Sequence, residues 1–272
     1  MANSPFPLID AYMSVRLDAD MRAAVPGKTL VKEWTTLPRP EMGGGSASPR
    51  AGETSPLRGG WLNAFWWLWL DDGRSIASVP PGSRDEITGI IAEAEKTSGE
   101  FDEARISRIK AAVDGALIKG GYASTEVFGQ HLLMGCNRDL LAERDYSRCV
   151  RLTARDVPVA EGLEIPIECS PEGITFGVMF DGTVVAEAHH RNPGVGMGNV
   201  VEVSVHTAPK HRDRGFGKTA VSRLVRHAAD LGGEARFACG YDNSAALALA
   251  RSVGFVSYGR QLLLTAPFRK TL

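Results

Sequence analysis

Twenty consecutive residues, Val200 to Thr219, constrain this chain more than any other stretch, because a strand must turn within them into a helix. Val201, Val203 and Val205 alternate with Glu202, Ser204 and His206, the period-2 pattern of a half-buried strand. Beyond Gly217 the period changes. Val221, Leu224, Val225 and Ala228 fall at i, i+3, i+4 and i+7, one face of a helix. Between the two lies the basic turn Arg212-Asp-Arg-Gly-Phe-Gly217. Gly215 and Gly217 carry no β-carbon, so a ligand can approach their backbone closely. The first amides of the helix point outward, with the positive end of the helix dipole behind them. Arg212, Arg214 and Lys218 deepen this site, whose expected guest is a phosphate or pyrophosphate.

The common nucleotide signatures are missing from the sequence. There is no Gly-x-x-x-x-Gly-Lys-Ser/Thr, and no Gly-x-Gly-x-x-Gly opens a helix after a strand. The alternating glycines of Gly194-Val-Gly-Met-Gly198 have no helix after them and read as a hairpin loop. Downstream, Glu234 to Cys239 reads as a short strand, and Asp242 or Asn243 can cap a helix from about Ser244 to Val253. Gly254 supplies the left-handed residue that ends it. Phe255 to Tyr258 and Leu262 to Thr265 read as two closing strands.

Arg212-x-x-Gly215-x-Gly217 after a strand, then Asn243-x-x-Ala246 and Gly254-Phe255 around a short helix, resemble the GNAT superfamily of acyl-CoA-dependent N-acyltransferases over about residues 150–268. The resemblance implies an α/β (α+β) fold with a mixed, mostly antiparallel central sheet flanked by helices. It implies acetyl-CoA as cosubstrate, with the backbone amides of Arg214, Gly215, Phe216, Gly217, Lys218 and Thr219 around its pyrophosphate and Arg212 beside them. It also implies that Val205, His206 and Thr207 pair through their backbone with the pantetheine arm, and that Asn243 reaches that arm or the adjacent strand.

Transfer of an acyl group from a thioester to an amine needs a base for the amine proton, a donor to the oxyanion and a route for the thiolate to leave. Glu202 sits close to where the family often has an acidic base, and His206 on the same face has an ordinary pKa suited to proton transfer. A one-residue change of register would turn both to the other face. The bland reading of each is a solvated outer-face residue. His189 and His190, beside a loop, read as surface residues. The family commonly has a Tyr four residues before the Gly of Gly-Phe as general acid; here Ala250 stands there. Solvent, Tyr241 or Ser252 can replace it, and Tyr241 can equally be a loop residue packed on the sheet.

The rest of the chain sets limits. Across 272 residues the net charge is −1, which provides no general basic field for nucleic acid or an anionic membrane. The cysteines Cys136, Cys149, Cys169 and Cys239 are too scattered for a zinc site, and no metal is expected. The first residues lack the pattern of a signal peptide, and Trp61 to Leu70 is too short to cross a bilayer as a helix, so a cytoplasmic location is expected.

Residues 1–145 are expected to form an α+β region of their own, and 146–272 the acetyltransferase-like domain. Within the first, residues 38–60 read as a Gly/Ser/Pro-rich loop and Trp61 to Val79 as a hairpin turning at Asp71-Asp-Gly73. Ile87, Ile90, Ile91 and Ala94, then Ile106, Ile109, Val113, Ala116 and Leu117, are the apolar stripes of two helices. The tryptophans read as packing, with an aromatic substrate pocket as the alternative. This region has no catalytic motif; shaping the acceptor pocket or a homodimer contact is its expected role, and a degenerate acyltransferase-like half is the alternative.

The expected function is acetyl transfer to the primary amine of a small molecule, an amino-acid-like metabolite or an antibiotic, directly in a ternary complex. A catalytically silent acyl-CoA-binding module is the alternative.

Overall fold

The computed structural model describes residues 4–35, 61–95, 102–153, 174–190 and 199–267. The expected loop at 38–60, the glycine run 194–198 and Cys169 lie outside them. In chain order the elements are α1 (Pro7–Leu17), β1 (Thr29–Glu33), β2 (Trp61–Leu70), β3 (Ser75–Val79), α2 (Arg84–Glu95), α3 (Glu103–Lys119), β4 (Val127–Cys136) and β5 (Cys149–Leu152). There follow β6 (Thr175–Phe180), β7 (Thr183–His190), β8 (Val200–Thr207), α4 (Phe216–Asp230), β9 (Glu234–Gly240), α5 (Ser244–Val253) and β10 (Val256–Pro267). The fold is the expected mixed α/β one, its sheet mostly antiparallel and flanked by helices. No helix among the described residues is long and apolar enough to cross a membrane.

Contacts divide the described residues into two units, one of residues 4–12, 133–153, 174–190 and 199–257, the other of 13–35, 61–95, 102–132 and 258–267. In the second unit β2 and β3 form the expected hairpin, with β1 parallel to β3 and β10 antiparallel to β2. The stripes of α2 and α3 bury Ile87, Ile90, Ile91, Ile109, Val113 and Leu117 against Leu62, Phe65 and Trp67. Burial of each such aliphatic side chain is worth about 1.5–3 kcal/mol. The indoles of Trp66 and Trp67 are buried and satisfied. Trp66 donates to Gln261 Oε1 and Trp67 to Ser75 Oγ, each at 3.0 Å.

One expectation changes here: β10 is a single strand where two were read. Gly259 lies between the two stretches that were read as strands. A β-carbon there would lie 2.1 Å from the carbonyl oxygen of Trp69, so the glycine instead allows β10 to lie close to β2.

In the first unit β5, β6, β7 and β8 form consecutive antiparallel pairs, and β9 runs parallel to β8. The β6–β7 hairpin turns at Asp181-Gly182, both with positive φ, as its Asp-Gly sequence predicts. Helix α4 makes the crossover from β8 to β9 and buries Val221, Leu224, Val225 and Ala228, the stripe read from the sequence.

Candidate active site

Helix α4 begins on a candidate anion cradle. Gly215 is its N-cap at φ 82°, a left-handed conformation that glycine adopts without steric cost. The helix ladder starts with Thr219 N donating to Gly215 O at 3.1 Å. The amides of Phe216, Gly217 and Lys218 precede that first rung, so they are the donors turned out of the helix end. Thr219, also expected among the open amides, instead has its amide in the ladder. Gly217 has a different task from Gly215. A β-carbon on it would meet Thr207 Oγ1 at 2.7 Å and Leu249 Cδ1 at 3.2 Å, so its absence seats the helix start against the end of β8 and against α5.

The basic side chains stand around this start. Arg212 Nε donates to Thr207 O at 3.4 Å. The Arg214 guanidinium lies 4.6 Å from the centre of the Phe180 ring and 5.2 Å from that of Phe216, a cation–π arrangement that fixes its place. Lys218 is half-buried.

The strand leading to the cradle opens towards it. β8 and β9 pair at Val200↔Glu234, Val201↔Ala235 and Glu202↔Arg236, where their ladder ends. β8 nevertheless continues to Thr207 and β9 to Gly240. The other edge of β8 stays paired with β7, from Val203↔His190 to Thr207↔Ala186. The edge of Val203 to Thr207 that faces β9 therefore parts from it and leads towards the open amides of α4.

The same register settles the faces. Residues directly opposite in a sheet share a face, so Glu202, Ser204 and His206 line up with Arg236, His189 and Glu187. Glu202 is buried, with Oε1 2.6 Å from Arg236 Nη1 and Oε2 accepting from the Tyr12 hydroxyl at 2.9 Å. His206 is half-exposed, its Nε2 3.8 Å from Glu187 Oε1. His189, read from sequence as a surface residue, bonds through Nδ1 to Glu187 Oε2 at 2.9 Å. Sequence reasoning missed Tyr12, Glu187 and Arg236. Glu187 alone left a trace, as the one charge within the apolar run Val184 to Ala188.

His190 points to the opposite face and accepts the Glu202 N–H on Nδ1 at 3.1 Å. Burial holds this imidazole below its ordinary pKa. In the interval between the folded and unfolded values the unfolded chain binds more protons. His190 therefore contributes stability above about pH 6.5 that is lost as pH falls through the lowered folded value. His190→Asn keeps an acceptor for the amide but does not titrate. Urea unfolding from about pH 7.5 to 5 should show wild type losing stability that the variant retains; parallel curves would refute the assignment.

Beyond β9, Tyr241 is exposed, and Asn243 caps α5 by accepting from Ala246 N at 3.0 Å. Ala250 is fully buried, and the Ser252 hydroxyl donates to Leu249 O at 2.7 Å. Burial pushes the Cys136 thiol up to about 12 and the Cys149 thiol to about 11, and raises that of Cys239. These three are therefore poor sources of a nucleophilic thiolate. No group of His, Cys, Asp and Glu among the described residues is arranged to hold a metal ion.

Residues 142–255 match the family model described as Acetyltransferase (GNAT) family. Among solved structures, a GNAT-family chain from Novosphingobium aromaticivorans DSM 12444 is 25% identical, over 53% of this chain and 67% of its own, with a TM-score of 0.44. A GCN5-related N-acetyltransferase from Kribbella flavida is 18% identical, over 62% of this chain and 78% of its own, at 0.42. A GNAT-family acetyltransferase from Colwellia psychrerythraea is 15% identical, over 71% of this chain and 78% of its own, at 0.43. No curated protein matches. The strand, cradle and capped helix described above all fall within the segment 142–255, which is similar to the acetyltransferases of the GNAT family.

Proposed function

We propose that this chain is an acetyl-CoA-dependent N-acetyltransferase that acts on the primary amine of a small molecule, an amino-acid-like metabolite or an antibiotic. The parting of β8 from β9 beside the open amides of α4 carries this reading. A parted strand edge suits an extended arm bearing amides, and a helix N-terminus suits a pyrophosphate. Acetyl-CoA has both, and it supplies the activated thioester. The edge of Val205, His206 and Thr207 would hold its pantetheine arm, and the amides of Phe216, Gly217 and Lys218 its pyrophosphate, with Arg212 and Arg214 as flanking charge. The amide of Thr219 and the side chain of Asn243 support those donors through the helix ladder and the α5 cap.

Direct transfer in a ternary complex is favoured by the raised pKa values of Cys136, Cys149 and Cys239, which disfavour a cysteine-bound acyl intermediate. Glu202, His206 and Tyr241 are the candidates for proton transfer read from the sequence. His206 and Glu202 share one face of β8, and Tyr241 stands exposed just past the end of β9.

Lys218→Glu separates binding from folding. An acidic residue in the first turn of α4 suits the helix dipole by about 0.3–1 kcal/mol, so the unfolding midpoint should hold or rise. The same charge opposes a pyrophosphate, and calorimetry should find acetyl-CoA bound about tenfold more weakly or worse, at least ~1.4 kcal/mol. Wild type should bind acetyl-CoA saturably, with CoA and a longer acyl-CoA as comparators, and release thiol with some member of an amine panel. Failure to bind any of the three would overturn the proposal. The second reading, a silent acyl-CoA-binding module, is favoured by the buried Ala250 at the usual position of the acid; binding without turnover on the whole panel would establish it.

A further inference from the structure

We propose that Glu187 and His189 form the proton-accepting couple of this site, with His189 Nε2 taking the proton of the acceptor ammonium and Glu187 positioning the ring. The inference rests on the acetyltransferase reading above. It adds two residues on β7, the strand next to the one that carries the sequence motif.

The argument begins with charge. The Glu187 side chain is 3% exposed, and a carboxylate so buried is costly unless paired. Two imidazoles lie over it. One is His189, with Nδ1 2.9 Å from Oε2; the other is His206, with Nε2 3.8 Å from Oε1. Their rings stack 6.1 Å apart at 23°. Further along the same face Glu202 has its own cation in Arg236. The pairing on this face thus matches Arg236 to Glu202 and the imidazoles to Glu187.

Chemistry then fixes the tautomer. An ionised carboxylate only accepts hydrogen bonds, so the contact with Oε2 requires the proton on His189 Nδ1. In the neutral ring Nε2 is then left with its lone pair, and the side chain is 28% exposed, within reach of a solvent-borne substrate. When Nε2 takes a proton, the imidazolium forms against a buried anion that is already in place and needs no reorganisation. The step balances as R–NH3+ plus neutral imidazole giving R–NH2 plus imidazolium, which later returns its proton to solvent.

The position suits the task. His189 stands directly opposite Ser204 on β8, within the stretch whose far edge parts from β9. Neighbouring strands lie about 4.8 Å apart, so the couple is one strand from the opened edge. Among the described residues, groups come to it from several elements. His206, Glu202 and Ser204 come from β8 and Arg236 from β9; Thr175 lies opposite His189 on β6, Tyr12 reaches Glu202 from α1, and His190 follows in the chain.

The test uses the full chain as wild type, His189→Gln and Glu187→Gln. Acetyl-CoA affinity by calorimetry should be unchanged in all three, which also reports that each is folded. Nitrogen-15 NMR of the imidazoles should find neutral wild-type His189 protonated on Nδ1, and Glu187→Gln should lose that fixed tautomer. His189→Gln should lower kcat about 10²-fold or more. Glu187→Gln should lower kcat by less than His189→Gln does, because the ring remains but is no longer held in one tautomer. Wild-type His189 protonated on Nε2, or kcat within threefold of wild type in both variants, overturns the couple while acetyl-CoA binding and turnover persist. Absence of acetyl-CoA binding by wild type overturns the acetyltransferase reading, and the couple with it.

Discussion

Replacing Arg236 with Met should cost about 3–5 kcal/mol of folding stability, because it leaves the Glu202 carboxylate buried without its cation. Both partners are deep in the fold, with side chains 1% and 11% exposed. The Tyr12 hydroxyl would remain on Oε2, but one neutral donor does not replace a guanidinium. Glu202→Leu alone should be comparably harmful, since it strands Arg236. The double variant Glu202→Leu/Arg236→Met removes both charges and should recover most of the loss, as a hydrophobic pair can replace a buried ion pair at little cost. Urea unfolding of the four proteins forms a double-mutant cycle, and additive losses would refute the pairing. The cycle also bears on catalysis. If Glu202 were the base, Glu202→Gln would slow turnover far more than it lowers stability. Its two occupied oxygens predict the opposite order.

How much of this was legible depends on how far apart the interacting residues lie in the chain. The strand–turn–helix from Val200 to Asp230 was readable because its signals are local. A change of period marks where β8 ends and α4 begins, and a glycine sits where φ must be positive. The hairpin at Asp181-Gly182 and the Asn243 cap were readable for the same reason. The site's polar chemistry was not. Glu202 meets Arg236 only because β8 and β9 are parallel in one register, and it meets Tyr12 only because α1 returns across 190 residues of sequence separation. Glu187 and His189 come beside His206 through the β7–β8 pairing, which no periodicity states. Helix α1 itself has apolar residues on several sides, with Val15 exposed and Ile9 and Met13 buried, so its stripe is indistinct. The single strand β10 was read as two, at 255–258 and 262–265, because the close backbone approach of Gly259 to Trp69 that keeps it continuous exists only in the folded sheet.

Gly254→Ala should be among the most damaging single methyl additions, at about 3 kcal/mol or more, and for two independent reasons. Gly254 ends α5 at φ 113°, outside the range that side chains with a β-carbon adopt comfortably, and the strain would remain even in open space. The space is not open. A β-carbon would lie 2.0 Å from the carbonyl oxygen of Leu140 and 2.8 Å from its carbon, and backbone cannot rotate aside as a side chain can. The neighbouring contacts hold that segment in place. Ala142 N donates to Val253 O at 2.9 Å, and Arg144 Nη2 donates to Ser252 O at 2.6 Å. Residues 140–144 thus satisfy carbonyls at the C-terminal end of α5, and the glycine lets them approach. This gives the Gly254-Phe255 pair a structural meaning. It fixes the end of α5, whose Leu249 packs at Gly217 and so supports the start of α4. Gly254→Ala should therefore weaken acetyl-CoA binding as well as lower the unfolding midpoint, although residue 254 is given no contact with the cofactor. Thermal unfolding and calorimetry on the same preparation decide this. A loss of binding with no loss of stability would place Gly254 in the cofactor site itself, and a variant as stable as wild type would refute the close approach to Leu140.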